Sequence, residues 1–111
     1  MDNSIKKFLL DILIAIETIE AYIGDQKIYN DYQVNNLLKD AVERNLITIG
    51  EAVNNLLKVE ASIQIGNARK IVDTRNRLTH GYDDIDDSQI WAIIINHLPK
   101  LKLDITDLLK K

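Results

Sequence analysis

Apolar residues recur every three or four positions along almost the whole chain, the spacing of helices that bury one face. Over residues 3–23 the stripe is Ile5, Phe8, Leu9, Ile12, Leu13, Ile16, Ile19 and Ile23, and Gly24-Asp25 ends it. Residues 31–59 predict one long second helix. Val34, Leu37, Leu38, Ala41, Val42, Ile49, Ala52, Val53 and Leu56 share its face, and Asn45 and Thr48 fall on or beside it. Gly50 has two readings there: a point where another helix comes close, or a tolerated surface glycine. Residues 61–67 read as a connector and 67–79 as a third helix, ended by Gly81. The run 83–88 reads as a turn whose carboxylates suit the start of a helix. The last helix carries Ile90, Trp91, Ile94, Leu98, Leu101, Ile105 and Leu108, and Pro99 inside it should bend it. No repeat or linker divides the chain. The expectation is a single all-α domain over residues 1–111, an antiparallel up-and-down bundle of four to five helices.

Composition narrows the functional classes. A chain of 111 residues can bury roughly two-thirds of its unfolded surface, enough for a core of its own, to which dimerisation would add. With 46% hydrophobic and 28% charged residues it is neither disordered nor membrane-embedded in character. The absence of cysteine excludes disulfides, thiolate nucleophiles and cysteine-bound zinc. The start of the chain, charged at Lys6, Lys7 and Asp11, does not read as a signal peptide, and no stretch approaches the ~18 apolar residues of a membrane span. A cytoplasmic protein with no membrane association is expected. The net charge of −3 argues against a general nucleic-acid coat. Locally the sign reverses: from residue 66 to 82, Arg69, Lys70, Arg75 and Arg77 face Asp73 alone, and the five residues that follow carry four carboxylates.

Laid out at about 100° per residue, the third helix puts Ala68, Ile71, Val72, Leu78 and Thr79 on one side, with Arg75 in their midst. A guanidinium left unpaired on such a stripe costs several kcal/mol, roughly, so something must meet it. An internal carboxylate, a partner chain and an anionic ligand all remain open, and Glu43 or Glu51 could supply the carboxylate. Asn76, Arg77 and His80 occupy the neighbouring face. Imidazole suits proton transfer near neutral pH, although a single histidine at a helix end is commonly just a cap.

The eight residues Arg75-Asn76-Arg77-Leu78-Thr79-His80-Gly81-Tyr82 follow the pattern Arg, four residues, His, any residue, Tyr, with a polar residue directly after the arginine. This pattern resembles the HEPN superfamily and, within it, the HepT-like (DUF86) toxin branch. The stretch from Ala41 to Ala52 resembles that branch's second-helix signature, and Trp91 and His97-Leu98-Pro99 sit where the branch has them. No motif position departs from the pattern. The resemblance implies a homodimeric HEPN-like bundle acting as the toxin of a bacterial type VII toxin–antitoxin pair. Its activity would be that of a metal-independent endoribonuclease without cofactor. The catalytic residues carried over are Arg75 and His80, with Asn76 and Arg77 in support. The implied partners are an RNA substrate and a minimal nucleotidyltransferase antitoxin, which would transfer AMP to Tyr82 and could join a higher assembly.

Elementary chemistry is compatible with that implication. RNA transesterification needs a base for the 2′-hydroxyl, an acid for the leaving 5′-oxygen and positive charge at the phosphorus. Arg75 can supply the charge. One His80 can hardly be acid and base at once, whereas two copies across a dimer interface provide both. AMP on Tyr82 would crowd and repel a substrate phosphate. Other features read more plainly. The acidic run lacks the spacing of a calcium loop and reads as helix capping. His97 reads as partly buried packing, and Tyr22, Tyr29 and Tyr32 as packing rather than base stacking. Two further readings stand beside the nuclease. One is a non-catalytic helical dimer that binds a nucleotide or docks a nucleotidyltransferase; the other is a purely structural bundle.

Overall fold

The computed structural model of the chain describes residues 2–80 and 85–111, and among these every regular element is helical. The first helix, α1, spans Asn3–Ile23 as the periodicity predicts. Asp2 caps it by accepting from the backbone N–H of Ser4 at 2.7 Å. Gly24 ends it at φ +79°, a backbone conformation that only glycine adopts without penalty.

The expected second helix is two helices. A short α2, Tyr29–Gln33, is followed by a break at Val34-Asn35, and α3 runs over Asn36–Val59. Asn35 accounts for the restart, because its side chain accepts from the N–H of Leu38 at 3.0 Å and offers the backbone an alternative to continuing the first helix. The restart changes the exposed face. Val34 and Leu37, read as core from the stripe, are 71% and 83% exposed, whereas Val42, Leu46, Ile49, Val53 and Leu56 are buried.

After the connector, Asn67 takes a left-handed conformation (φ 61°) and α4 spans Ala68–His80. The last expected helix is also subdivided, into α5 over Asp87–Ala92, a π turn over Ile93–His97 and α6 over Leu98–Leu109. Asp86 starts α5 with a capping box closed by Gln89. The π turn is how the chain accommodates Pro99. Proline lacks an N–H and its ring crowds the carbonyl four residues back, so the helix widens first, with the N–H of Leu98 donating to the carbonyl of Ile93. Pro99 then sits in the opening turn of α6, where a missing N–H costs little.

The long helix α3 lies at the centre, packed against α1 on one side and α4 on the other, while α6 closes on α1. Ile12, Ile16, Ile19, Ile49, Val53 and Ile105 are fully buried between them. Ties at the rim hold the outer pieces: Lys39 to Asp87 at 3.1 Å, Lys102 to Glu20 at 2.8 Å, and the N–H of Gly66 to Asp104 at 2.9 Å. Among the described residues, no helix is long and apolar enough to cross a membrane.

The α3–α4 contact resolves the two readings of Gly50. The residue is buried, and a Cβ there would collide with the Cβ and Cγ of Arg75 and press on the carbonyl of Ile71. Gly50→Ala should therefore destabilise the fold by about 1–3 kcal/mol through overpacking. At an uncrowded helical position the same change would stabilise by about 1 kcal/mol, so the sign is diagnostic. Urea denaturation measures it, and a gain in stability would contradict the close approach.

Candidate active site

The sequence of α4 alternates between what it buries and what it presents. Ile71, Thr74 and Leu78 face inward, and the hydroxyls of Thr74 and Thr79 donate back to the carbonyls of Lys70 (2.8 Å) and Arg75 (3.0 Å). These bonds satisfy the hydroxyls locally and leave the charged side chains to define the outer surface.

Arg75 starts on the α3 side, as the helical layout predicts, but its guanidinium is not sealed in an apolar seam. The Cβ and Cγ lie against Gly50, and the side chain remains 26% exposed. Its stem lies along α3 and its head reaches toward water, the usual compromise of a long cationic side chain. Nη1 donates to Oδ1 of Asn76 at 2.8 Å, and Nη2 lies 3.7 Å from Oε1 of Glu51. Nε is buried and has no hydrogen-bond partner among the described residues. Of the two carboxylates the sequence offered, Glu51 is the one in reach. Glu43 sits elsewhere, beside Asp40, Asp87 and Lys39, where burial and the two aspartates push its carboxyl above the usual range. The Glu51 contact is long and its carboxylate is 52% exposed, so it contributes at most about 1 kcal/mol and can be displaced by a stronger anion.

Asn76 draws the guanidinium round the helix. It is one turn before His80, so the two share a face, and His80 is exposed at the last residue of α4. The guanidinium of Arg75 is thus held beside Asn76 from the α3 side, and the imidazole of His80 lies one turn further along the same exposed stretch of α4. Arg77 turns the other way, its Nη2 3.4 Å from Oε1 of Gln89 on α5. Tyr82 lies outside the described residues, as do Gly81, Asp83 and Asp84.

A family model described as "Ribonuclease HepT-like" matches residues 12–108. The chain belongs to the HepT-like family. It is 31% identical to a Methanocaldococcus jannaschii protein named "Putative RNase MJ1380", over 93% of this chain and 94% of that one. A Thermococcus cleftensis protein named "Probable ribonuclease HepT" is 30% identical over 92% and 93% of the two chains. A third relative, the M. jannaschii "Gamma-glutamylcyclotransferase and putative RNase MJ0434", is 30% identical over all of this chain, which spans 50% of that longer protein. No solved structure matches significantly.

In this HepT-like chain the remaining candidates separate. Tyr32 is buried, and its ring and that of Tyr29 pack on Trp91 with centroids 5.4 and 5.7 Å away, the packing role expected. Burial, with Glu43 and Asp87 nearby, raises the Tyr32 hydroxyl above its ordinary value, so it stays protonated. Tyr22 is half exposed and apart from them. Of the acidic run, Asp86 caps α5, and its bonds to Ser88 and Gln89 lower its carboxyl below the usual range. No group of three potential metal ligands comes together among the described residues.

His97 is partly buried, as the sequence suggests. Among the described residues its buried Nδ1 has no hydrogen-bond partner, and it borders a groove between α4 and the π turn together with Lys70 and Arg77. The sequence signal for that groove was the row Lys70, Asp73, Thr74, Arg77 at helical spacing, but its opposite wall depends on the π turn. Burial, then the charges of Lys70 and Lys100, hold the His97 imidazole below its usual value. The unfolded chain therefore takes up a proton at higher pH than the folded one. The stability this histidine contributes is present above about pH 6.5 and declines as pH falls through its lower folded value. Denaturation of His97→Gln at pH 7.5 and 5.5 should show a smaller acid-induced loss than the parent chain; equal losses would contradict the assignment.

Proposed function

We propose that this chain is an endoribonuclease, the toxin of a type VII toxin–antitoxin pair, with Arg75 and His80 as its catalytic residues. The observation that carries the reading is the guanidinium of Arg75, anchored by Asn76 on the face that His80 shares, in a chain of the HepT-like family. Its loose contact with an exposed Glu51 supports the same reading, since a phosphodiester offers two oxygens for parallel hydrogen bonds and outcompetes one distant carboxylate.

The reaction needs no metal ion. The substrate's 2′-hydroxyl attacks the adjacent phosphorus and gives its proton to one imidazole. The P–O5′ bond breaks as a second imidazole gives a proton to the leaving oxygen. The products are a 2′,3′-cyclic phosphate and a 5′-hydroxyl. Arg75 neutralises the charge that builds on the phosphorane oxygens. His80 is exposed and a single copy serves one proton transfer at a time, so the full site is composite, built by two protomers of a homodimer. The partner antitoxin, a nucleotidyltransferase, silences it by AMP transfer: the Tyr82 oxygen attacks the α-phosphorus of ATP and pyrophosphate leaves. The added anion sits two residues from His80 and repels the substrate.

His80→Ala and Arg75→Ala should each lower RNA cleavage by at least about a hundredfold. A heterodimer of parent and His80→Ala chains would hold one imidazole where the composite site needs two, so an excess of the His80→Ala chain should suppress cleavage by the parent chain; undiminished cleavage would confine the site to one chain. Cleavage by the parent chain should persist in chelator, leave cyclic phosphate ends and spare DNA, which lacks the nucleophile. A parent chain that binds nucleotide but leaves RNA intact would instead be a non-catalytic helical module. Co-expression with the cognate nucleotidyltransferase should add the mass of AMP to Tyr82, and an unmodified tyrosine in the neutralised complex would remove that part of the proposal.

A further inference from the structure

The surface of α4 does not end at His80. On the side away from Arg75, Lys70, Asp73, Thr74 and Arg77 form one continuous row, one and two turns apart along the helix. They line a groove of about 320 Å³ together with Gln89 and His97, and Ile93 is the buried apolar residue of its lining. This volume lies at the small end of the range for ligand sites. The groove exists because α4 packs on α3, while the chain on its other side widens into the π turn before Pro99.

Its lining is a mixture that packing alone does not explain. Lys70 and Arg77 bring two positive charges, with Lys100 close enough to His97 to act on its charge. Asp73 brings one negative charge between them. His97 lines the groove beside them, and among the described residues its Nδ1 has no hydrogen-bond partner. Both lysines and the surrounding burial favour the neutral ring, which carries one N–H and one lone pair. Cations for a phosphate beside uncharged and acidic acceptors suited to a base edge or ribose describe a nucleotide unit rather than a simple anion. Arg77 lies about 4.5 Å along the helix axis from His80 and Lys70 about 15 Å, so the groove leads directly away from the cutting face.

We propose that this groove is a second phosphodiester subsite, in which Lys70 and Arg77 hold the phosphate of a nucleotide flanking the scissile one while Asp73 and His97 meet its base or ribose. The inference rests on the reading of the Arg75–His80 face as acting on RNA, and its test is separable from that reading because it uses binding rather than cleavage. In a His80→Ala chain, whose cleavage should be too slow to consume the RNA, affinity for a single-stranded RNA oligomer is measured by fluorescence anisotropy over a series of salt concentrations. Adding Lys70→Gln, an exposed position that does not threaten the fold, should weaken binding about tenfold. It should also make the dependence of log affinity on log salt shallower by about 0.7, the value for one phosphate of a single strand. Adding His97→Gln should weaken binding about fivefold with the salt slope unchanged, as for a contact to base or sugar. Lys7→Gln on α1 is the charge-matched control and should change neither.

A salt slope for Lys70→Gln equal to that of the Lys7→Gln control overturns the proposal. So does AMP that binds with the same dependence on Lys70 and is not displaced by RNA, since the groove would then serve a free mononucleotide. Should the slope change hold while the parent chain fails to cleave any RNA, the subsite stands and the catalytic reading alone falls.

Discussion

The candidate site depends on the absence of one side chain. At Gly50 the central helix α3 offers bare backbone, and α4 comes in until the first carbons of Arg75 rest on it. Any Cβ there would push α4 outward at the position of Arg75. The close approach does two things together. It fixes the origin of the arginine on the inner side of α4, and it leaves too little room for the guanidinium to stay there, so the head turns out toward Asn76 and the surface that carries His80. A glycine on one helix thus sets where the charge on the next one can act.

The electrostatics around that charge are deliberately weak. Asn76 anchors the guanidinium with a short hydrogen bond that costs it no charge, and Glu51 stays at 3.7 Å with half its carboxylate in water. A tight buried pair would hold the arginine but withhold it from a phosphate, because displacing a desolvated carboxylate is expensive. Three carboxylates near α4 are occupied elsewhere: Asp86 in a helix cap, Asp87 with Lys39, Asp104 with the backbone of Gly66. These three negative charges are therefore committed to holding helices in place. On the proposed reading, that commitment leaves the basic row of α4 facing the substrate.

Much of this was legible before any coordinates. The 3.6-residue period located α1 and α4, and the position of Arg75 on an apolar stripe flagged a residue needing an explanation. Three things were hidden, each for a physical reason. The break at Val34-Asn35 turns on a local side-chain cap that competes with helix continuation, and periodicity is blind to it, so Val34 and Leu37 were misread as core. The exit of the Arg75 head toward water depends on how near α3 comes, which is a tertiary distance. The groove at His97 needs a π turn, and Pro99 announced an interruption without its form. Gly50 held two meanings that only packing could separate.

The most direct test of the central claim follows the guanidinium itself. The Nε–H resonance of Arg75 and the imidazole resonances of His80 can be monitored by NMR while a dinucleotide lacking the 2′-hydroxyl, and so uncleavable, is titrated into the chain. If the α3–α4 contact delivers Arg75 to the face of His80, both sets of signals should shift with one saturation curve, and Asn76→Ala should abolish the shift at Arg75. Movement of the His80 signals with Arg75 unperturbed and still beside Glu51 would contradict the account.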